Sequence, residues 1–123
     1  MPTVGNGANT KATRAVSWVK AARREFSAFP QPVQDQMKFA LEIAALGQMA
    51  DIAKPMKGFD AGVYEIALSH RTDAYRAVYA VKLDDDLWVV HAFQKKSTQG
   101  IKTPRHEIDV IHARIKRIRG MAP

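Results

Sequence analysis

Two side chains of opposite charge, Glu65 and Arg76, stand inside stretches that otherwise read as strands, VYEIAL and AYRAVYAV. A charge among β-formers needs a reason, because an unpaired buried charge is costly. A guanidinium can hold a phosphate through two parallel hydrogen bonds, and a carboxylate can take a proton. Gln94 and Lys96 end the next strand-like run, and Lys54, Lys57, Arg71 and Lys95 border the same region. Glu65, Arg76, Gln94 and Lys96 on one sheet face, edged by those four, form a phosphate-handling surface. A plainer reading stands beside it: Glu65 and Arg76 as a half-exposed cross-strand ion pair worth about 0.2–1 kcal/mol. The residues alone leave both open.

The elements that must position these groups centre on Ala74–Lys96. Two runs rich in Val, Tyr, Phe and Trp flank Asp84, Asp85 and Asp86, which predicts a β-hairpin. If Leu83 and Leu87 close the turn, Arg76 lies opposite Gln94, Val78 opposite Ala92 and Tyr79 opposite His91. Arg76, Val78 and Ala80 then share a face with Gln94, Ala92 and Val90, and Lys96 follows on it. Tyr75, Ala77, Tyr79 and Val81 share the other, more aromatic face, the expected core side, with Phe93, His91 and Val89. Val63–Leu68 alternates as a strand. Pairing Leu68 with Asp73 across the loop Ser69–Thr72 sets Glu65 opposite Arg76.

Upstream, Ala15–Val19 is short and β-like, and Lys20–Phe29 reads as a short helix anchored by Phe26 and Phe29. Pro30 and Pro32 open a second helix, from about Val33 to Leu46, with Gly47 as its stop. Val33, Met37, Ala40, Leu41 and Ala44 recur at helical spacing, and Phe39, Ile43 and Leu46 widen that sector toward burial. Ala53–Gly62, with its Pro and Gly, reads as a loop carrying Lys54 and Lys57. After the polar loop Ser97–Thr103, Thr103 is placed to cap a helix whose stripe is Ile108, Ile111, Ile115 and Ile118. The expected architecture is α+β, an antiparallel-rich sheet with two N-terminal helices and a C-terminal helix, the helices covering one face. Residues 1–14 are expected to form a flexible tail and 15–119 a single domain.

The 123-residue chain carries a formal net charge of +7, unevenly spread. Residues 1–53 hold six basic and four acidic side chains, 54–93 five and six, and 94–119 eight and two. The basic excess after the hairpin favours a polyanionic partner, nucleic acid first, or serves as a solubilising surface. The chain has no cysteine, which removes disulfides, cysteine-ligated zinc and a cysteine nucleophile, and fits a reducing cytoplasm. No apolar run approaches the roughly 20 residues that span a bilayer, so no membrane partner is expected. His70, His91, His106 and His112 form no compact ligand pattern, and no metal or cofactor is expected; His91 fits a hydrogen-bonded core histidine near Tyr79. No phosphate-cradling glycine loop or nucleophile elbow is present.

The stretches KPMKGFDAGVYEI (Lys54–Ile66), YRAVYAV (Tyr75–Val81) and HAFQKKSTQGIKTP (His91–Pro104), in this order of elements, resemble the RelE/ParE toxin superfamily, and more closely its phage-derived HigB-like branch. The resemblance covers about Val16 to Ile118. It implies a RelE-like fold and the toxin of a type II toxin–antitoxin pair, cutting mRNA on the ribosome as a metal-independent endoribonuclease and partnered by a helix-turn-helix antitoxin. By the same resemblance Arg76 holds the scissile phosphate, Lys57 is a basic loop position, and Lys95 or Lys96 a basic residue after the last strand. Glu65 and Ala67 stand where some relatives have paired lysines; Glu65 is the one side chain on that face that can serve as a conventional general base, and the alternative is that it only orients Arg76. Catalysis is thus expected from Arg76, Glu65, Lys57 and Lys96, with RNA held by Lys54, Arg71, Gln94 and Lys95. Superfamily folds host other activities; a ParE-type gyrase poison and a module that only binds a partner are the alternatives.

Overall fold

The computed structural model describes residues 13–96 and 102–121. Among them the order is β1 (Val16–Trp18), α1 (Lys20–Ser27), α2 (Gln31–Ala45), β2 (Ala53–Pro55), β3 (Val63–His70), β4 (Asp73–Ala80), β5 (Leu87–Lys95) and α3 (Arg105–Met121). The strands form one sheet in the order β1-β5-β4-β3-β2. Only β1 runs parallel to its neighbour; β2, β3, β4 and β5 are antiparallel in turn. The α+β architecture is the one expected, with one difference: the helices lie on both faces.

On one face α1 and α2 bury Ala22, Phe26, Val33, Met37 and Leu41 against Ile66, Tyr75, Ala77, Tyr79 and Val89. The rings Trp18, Phe26, Phe29 and Tyr75 follow one another at 5.0–5.7 Å between centroids. α2 begins after Pro30 with Pro32 in its first turn. It ends where Gly47, at φ +87°, lets its own N–H reach the Ala44 carbonyl and that of Gln48 reach Ile43, satisfying two orphan carbonyls. Its apolar sector is narrower than the sequence implies, for Phe39 and Leu46 are exposed. On the other face Ile111, Ile115 and Ile118 of α3 pack on Val63, Val78, Ala80 and Val90. The isoleucine stripe therefore finds its own side of the sheet and covers the face expected to be open.

The strand registers depart from expectation in two places. The β3–β4 turn is shorter, with His70 opposite Asp73 and Arg71 at φ +58°, so Glu65 pairs with Val78 and Ala67 with Arg76. A shift of two residues keeps the face, and Glu65 and Arg76 remain on one side as diagonal neighbours. Between β4 and β5, Val78 faces His91 but Tyr79 faces Val89, so Val90 is an extra residue, a β-bulge. The faces of Val89 and Val90 hold as expected. Beyond the bulge they exchange: Phe93 now faces Arg76, while Gln94 pairs with Tyr75 on the α1/α2 side. Lys95, opposite Ala74, takes the place beside Arg76 expected for Lys96. The stretch read as a loop from Ala53 also supplies an edge strand, where Pro55 is tolerated because an edge position needs no second ladder bond. Of the expected tail, residues 1–12 lie outside the described residues, and Arg14 donates from its backbone to the Ala45 carbonyl and from its guanidinium to Asp85. Of the loop Ser97–Thr103, residues 97–101 lie outside them.

Candidate active site

Strand alternation carries one row of charges across four strands. Lys54 of β2 faces Glu65 of β3, Arg76 lies one diagonal step further on β4, and Lys95 one further on β5. At its centre Arg76 Nη1 donates to Glu65 Oε1 at 2.9 Å. Thr103, just before α3, donates its hydroxyl to Glu65 Oε2 at 2.7 Å and lies 3.4 Å from Arg76 Nη1 as an acceptor. The hydroxyl expected to cap α3 is thus spent on the carboxylate. The pair is not half-exposed: Glu65 is 3% and Arg76 7% accessible, because the segment entering α3 closes over it.

Lys95 is 1% accessible and donates its ammonium to the Lys102 carbonyl. Burial lowers its pKa, the Arg76 charge lowers it further, and Glu65 offsets part of both. A guanidinium, a carboxylate and a lysine held below its ordinary basicity thus share one face: an anion holder, a proton acceptor and a proton donor. The other sequence candidates are not brought into the bonds of this centre. Lys54 and Lys57 are exposed, on β2 and in the turn after it; Arg71 is exposed in the β3–β4 turn, and Lys96 is exposed directly after β5. Gln94 lies on the opposite face, donating to Asp73. Among the described residues no cluster of His, Asp and Glu has the makings of a metal site. No helix there is long and apolar enough to cross a membrane.

A second buried polar group lies behind the bulge. His91, expected near Tyr79, instead faces α3, with Nε2 2.6 Å from Glu107 Oε1 and Nδ1 2.9 Å from Arg114 Nη1. Arginine only donates, so in that bond Nδ1 accepts and the ring proton sits on Nε2, given to Glu107. Arg114 grips Glu25 through two bonds, at 2.9 and 3.0 Å, and also reaches the Val90 carbonyl, while Glu25 receives the Ala92 N–H. Burial would raise the Glu25 carboxyl, but the hydrogen bonds from Arg114, the Arg114 charge and the Ala92 N–H outweigh it, and its pKa is lowered. This network closes the β5 edge where three-residue β1 stops. It fixes α1 and α3 to the strand that carries Lys95.

Sequence reasoning missed Thr103 as a site residue and mistook which of Lys95 and Lys96 faces Arg76. Thr103 carried no signal, since a Thr before Pro is equally a helix cap. The Lys95 face turns on the bulge.

Comparison with known proteins gives three results. The family model described as phage derived protein Gp49-like matches residues 24–116. No curated protein matches the chain significantly. Among solved structures, an arginine-to-alanine mutant of E. coli toxin RelE in the free state superposes with a TM-score of 0.55 at 20% identity, over 86% of this chain and 98% of that one. The isolated E. coli RelE toxin gives 0.53 at 17% identity, over 82% and 98%. The fold is RelE-like.

Proposed function

Because the chain belongs to the phage-derived Gp49-like family, a RelE-like toxin family, we propose that it is the toxin of a type II toxin–antitoxin pair and cuts mRNA on the ribosome without a metal ion. The observation that carries the reading is the row Glu65, Arg76, Lys95 on one sheet face, two of its charges within hydrogen-bond distance. In the reaction the RNA 2′-hydroxyl loses its proton to Glu65 and attacks the adjacent phosphorus. Arg76 stabilises the negative charge that grows on the phosphoryl oxygens. The P–O5′ bond breaks, the 5′-oxygen takes a proton from Lys95, and a 2′,3′-cyclic phosphate and a 5′-hydroxyl remain. Entry of the phosphate displaces Thr103 from Arg76. Lys54, Lys57, Arg71 and Lys96 line the approach and hold neighbouring phosphates. The partner is a helix-turn-helix antitoxin, and the site of action is the cytoplasm.

Mapping transcript ends after brief induction tests the reading. Cuts that appear within minutes and need ribosomes support it. Arrest without cuts, accompanied by loss of supercoiling in a gyrase assay, moves the chain to the ParE type of action.

A further inference from the structure

The surface bears a second feature that the proposed chemistry does not use. Between α1 and α3, at the sheet edge beyond β1, runs a groove of about 660 Å³. Its floor is apolar, formed chiefly by Trp18, Trp88, Val110 and Met121, the last 65% accessible. Its rim is cationic, formed by Lys20 and Arg24 one turn apart on α1 and by Arg117 on α3. No carboxylate of the described residues pairs with these three, in contrast to Arg114, which Glu25 holds. The α3 wall from Val110 to Met121 spans eleven residue steps, about 17 Å or three helical turns.

We propose that this groove docks an acidic amphipathic helix of the antitoxin, apolar side chains on the floor and carboxylates against Lys20, Arg24 and Arg117. The inference rests on the toxin–antitoxin reading above and adds where the partner sits. Charge selects the occupant: three cations around an apolar floor, with no acid among the described residues paired to them, match carboxylates brought from outside. Shape selects it too, because a three-turn trough with the small Ala113 on its wall admits a helix in the helix-in-groove manner. Single-stranded RNA fits the floor less well. Stacking bases need free ring faces, whereas the Trp18 ring lies tilted on Phe26 at 5.0 Å and Val110 and Met121 are aliphatic.

The test co-expresses the wild type, Arg24→Glu with Arg117→Glu, and Ala113→Arg, each with the small genes flanking its own, and measures the affinity of the co-purified neighbour. The expected result is capture of one neighbour by the wild type and at least a tenfold loss of affinity in both variants. Melting midpoints and mRNA cleavage should stay at wild-type levels. Should the double charge reversal itself lower the midpoint, Ala113→Arg decides, because it breaks no ion pair and acts by filling the trough. Equal affinity in wild type and variants overturns the groove while leaving the toxin–antitoxin reading standing. Charge reversals that weaken a single-stranded RNA oligonucleotide but not the neighbour assign the groove to nucleic acid and overturn it as well. No captured neighbour at all overturns both.

Discussion

Arg76 is bonded to Glu65 beneath Thr103, and its burial decides how its role is tested. In an exposed pair, Arg76→Ala would cost little stability. In this buried one it strands the Glu65 carboxylate, and breaking such a pair from one side costs about 3–5 kcal/mol. Arg76→Ala should therefore lose mRNA cleavage and fold stability together, which separates nothing. Replacing both charges by apolar groups of similar volume is often neutral, so Arg76→Met with Glu65→Leu should hold its urea midpoint near wild type and still fail to cut mRNA. A double variant that cuts at the normal rate would remove the pair from the mechanism. Lys95 makes a separate prediction. Its pKa is lowered by burial and by Arg76, which eases proton donation to a leaving oxygen. Lys95→Arg keeps the charge but does not give up a proton near neutral pH. It should bind RNA at near wild-type affinity and cut about 10²–10⁴ times more slowly, measured as single-turnover rates on programmed ribosomes.

At the scale of the element, the bulge at Val90 and the junction behind it set which side chains meet. Glu25 ties α1 to Arg114 of α3 across β5, and its pKa lies below the unfolded value of 4.5. A depressed carboxyl contributes stability that is present above pH 4.5 and lost as pH falls through the folded-state pKa. Glu25→Gln should therefore be less stable than wild type at pH 7, and the gap should close toward pH 3 in urea melts. The turn into β3 offers a second check. Gly62 has φ +96° and an added Cβ would stand 2.8 Å from Lys82 Cγ. Gly62→Ala should lose about 1–3 kcal/mol, chiefly from the backbone, with a lowered melting midpoint and unchanged cleavage below it. These elements also show why sequence legibility stopped where it did. Helices α1 and α2 and the hairpin were legible because apolar period, Pro and Gly all agreed. Glu65 and Arg76 were placed on one face despite a wrong turn length, since an error of two residues does not flip a strand. One extra residue does, and Val90 among Trp88, Val89 and His91 carries no local mark of a bulge. Arg71 in left-handed geometry likewise gave no Gly or Asn signal for a two-residue turn. The side of the sheet taken by α3 depended on which face β3, β4 and β5 left apolar, a tertiary property.

For the whole molecule, two sets of exposed cations contribute to the net charge of +7. Lys54, Lys57, Arg71 and Lys96 are exposed on or directly beside strands β2 to β5, while Lys20, Arg24 and Arg117 rim the groove between α1 and α3. Two cationic surfaces on one small domain can serve RNA and an acidic partner separately, and salt dependence tells them apart. Each phosphate neutralised on a single strand releases counterions and contributes about −0.7 to the slope of log K against log salt. Lys57→Ala with Lys96→Ala removes two side chains that are exposed and make no ion pair with a described residue. The slope for a single-stranded RNA oligonucleotide should become shallower by about 1.4, which is two such contacts. The fold should be unaffected, because exposed lysines contribute little to it. Arg24→Glu with Arg117→Glu alters the net charge more, yet should leave that RNA slope unchanged if those cations contact the partner alone. The comparison is internal: a general loss of positive charge would flatten the slope in proportion to the charge removed, whichever surface lost it. Local contact flattens it only for Lys57 and Lys96, and a slope that follows net charge alone would return both surfaces to the role of solubilising the domain.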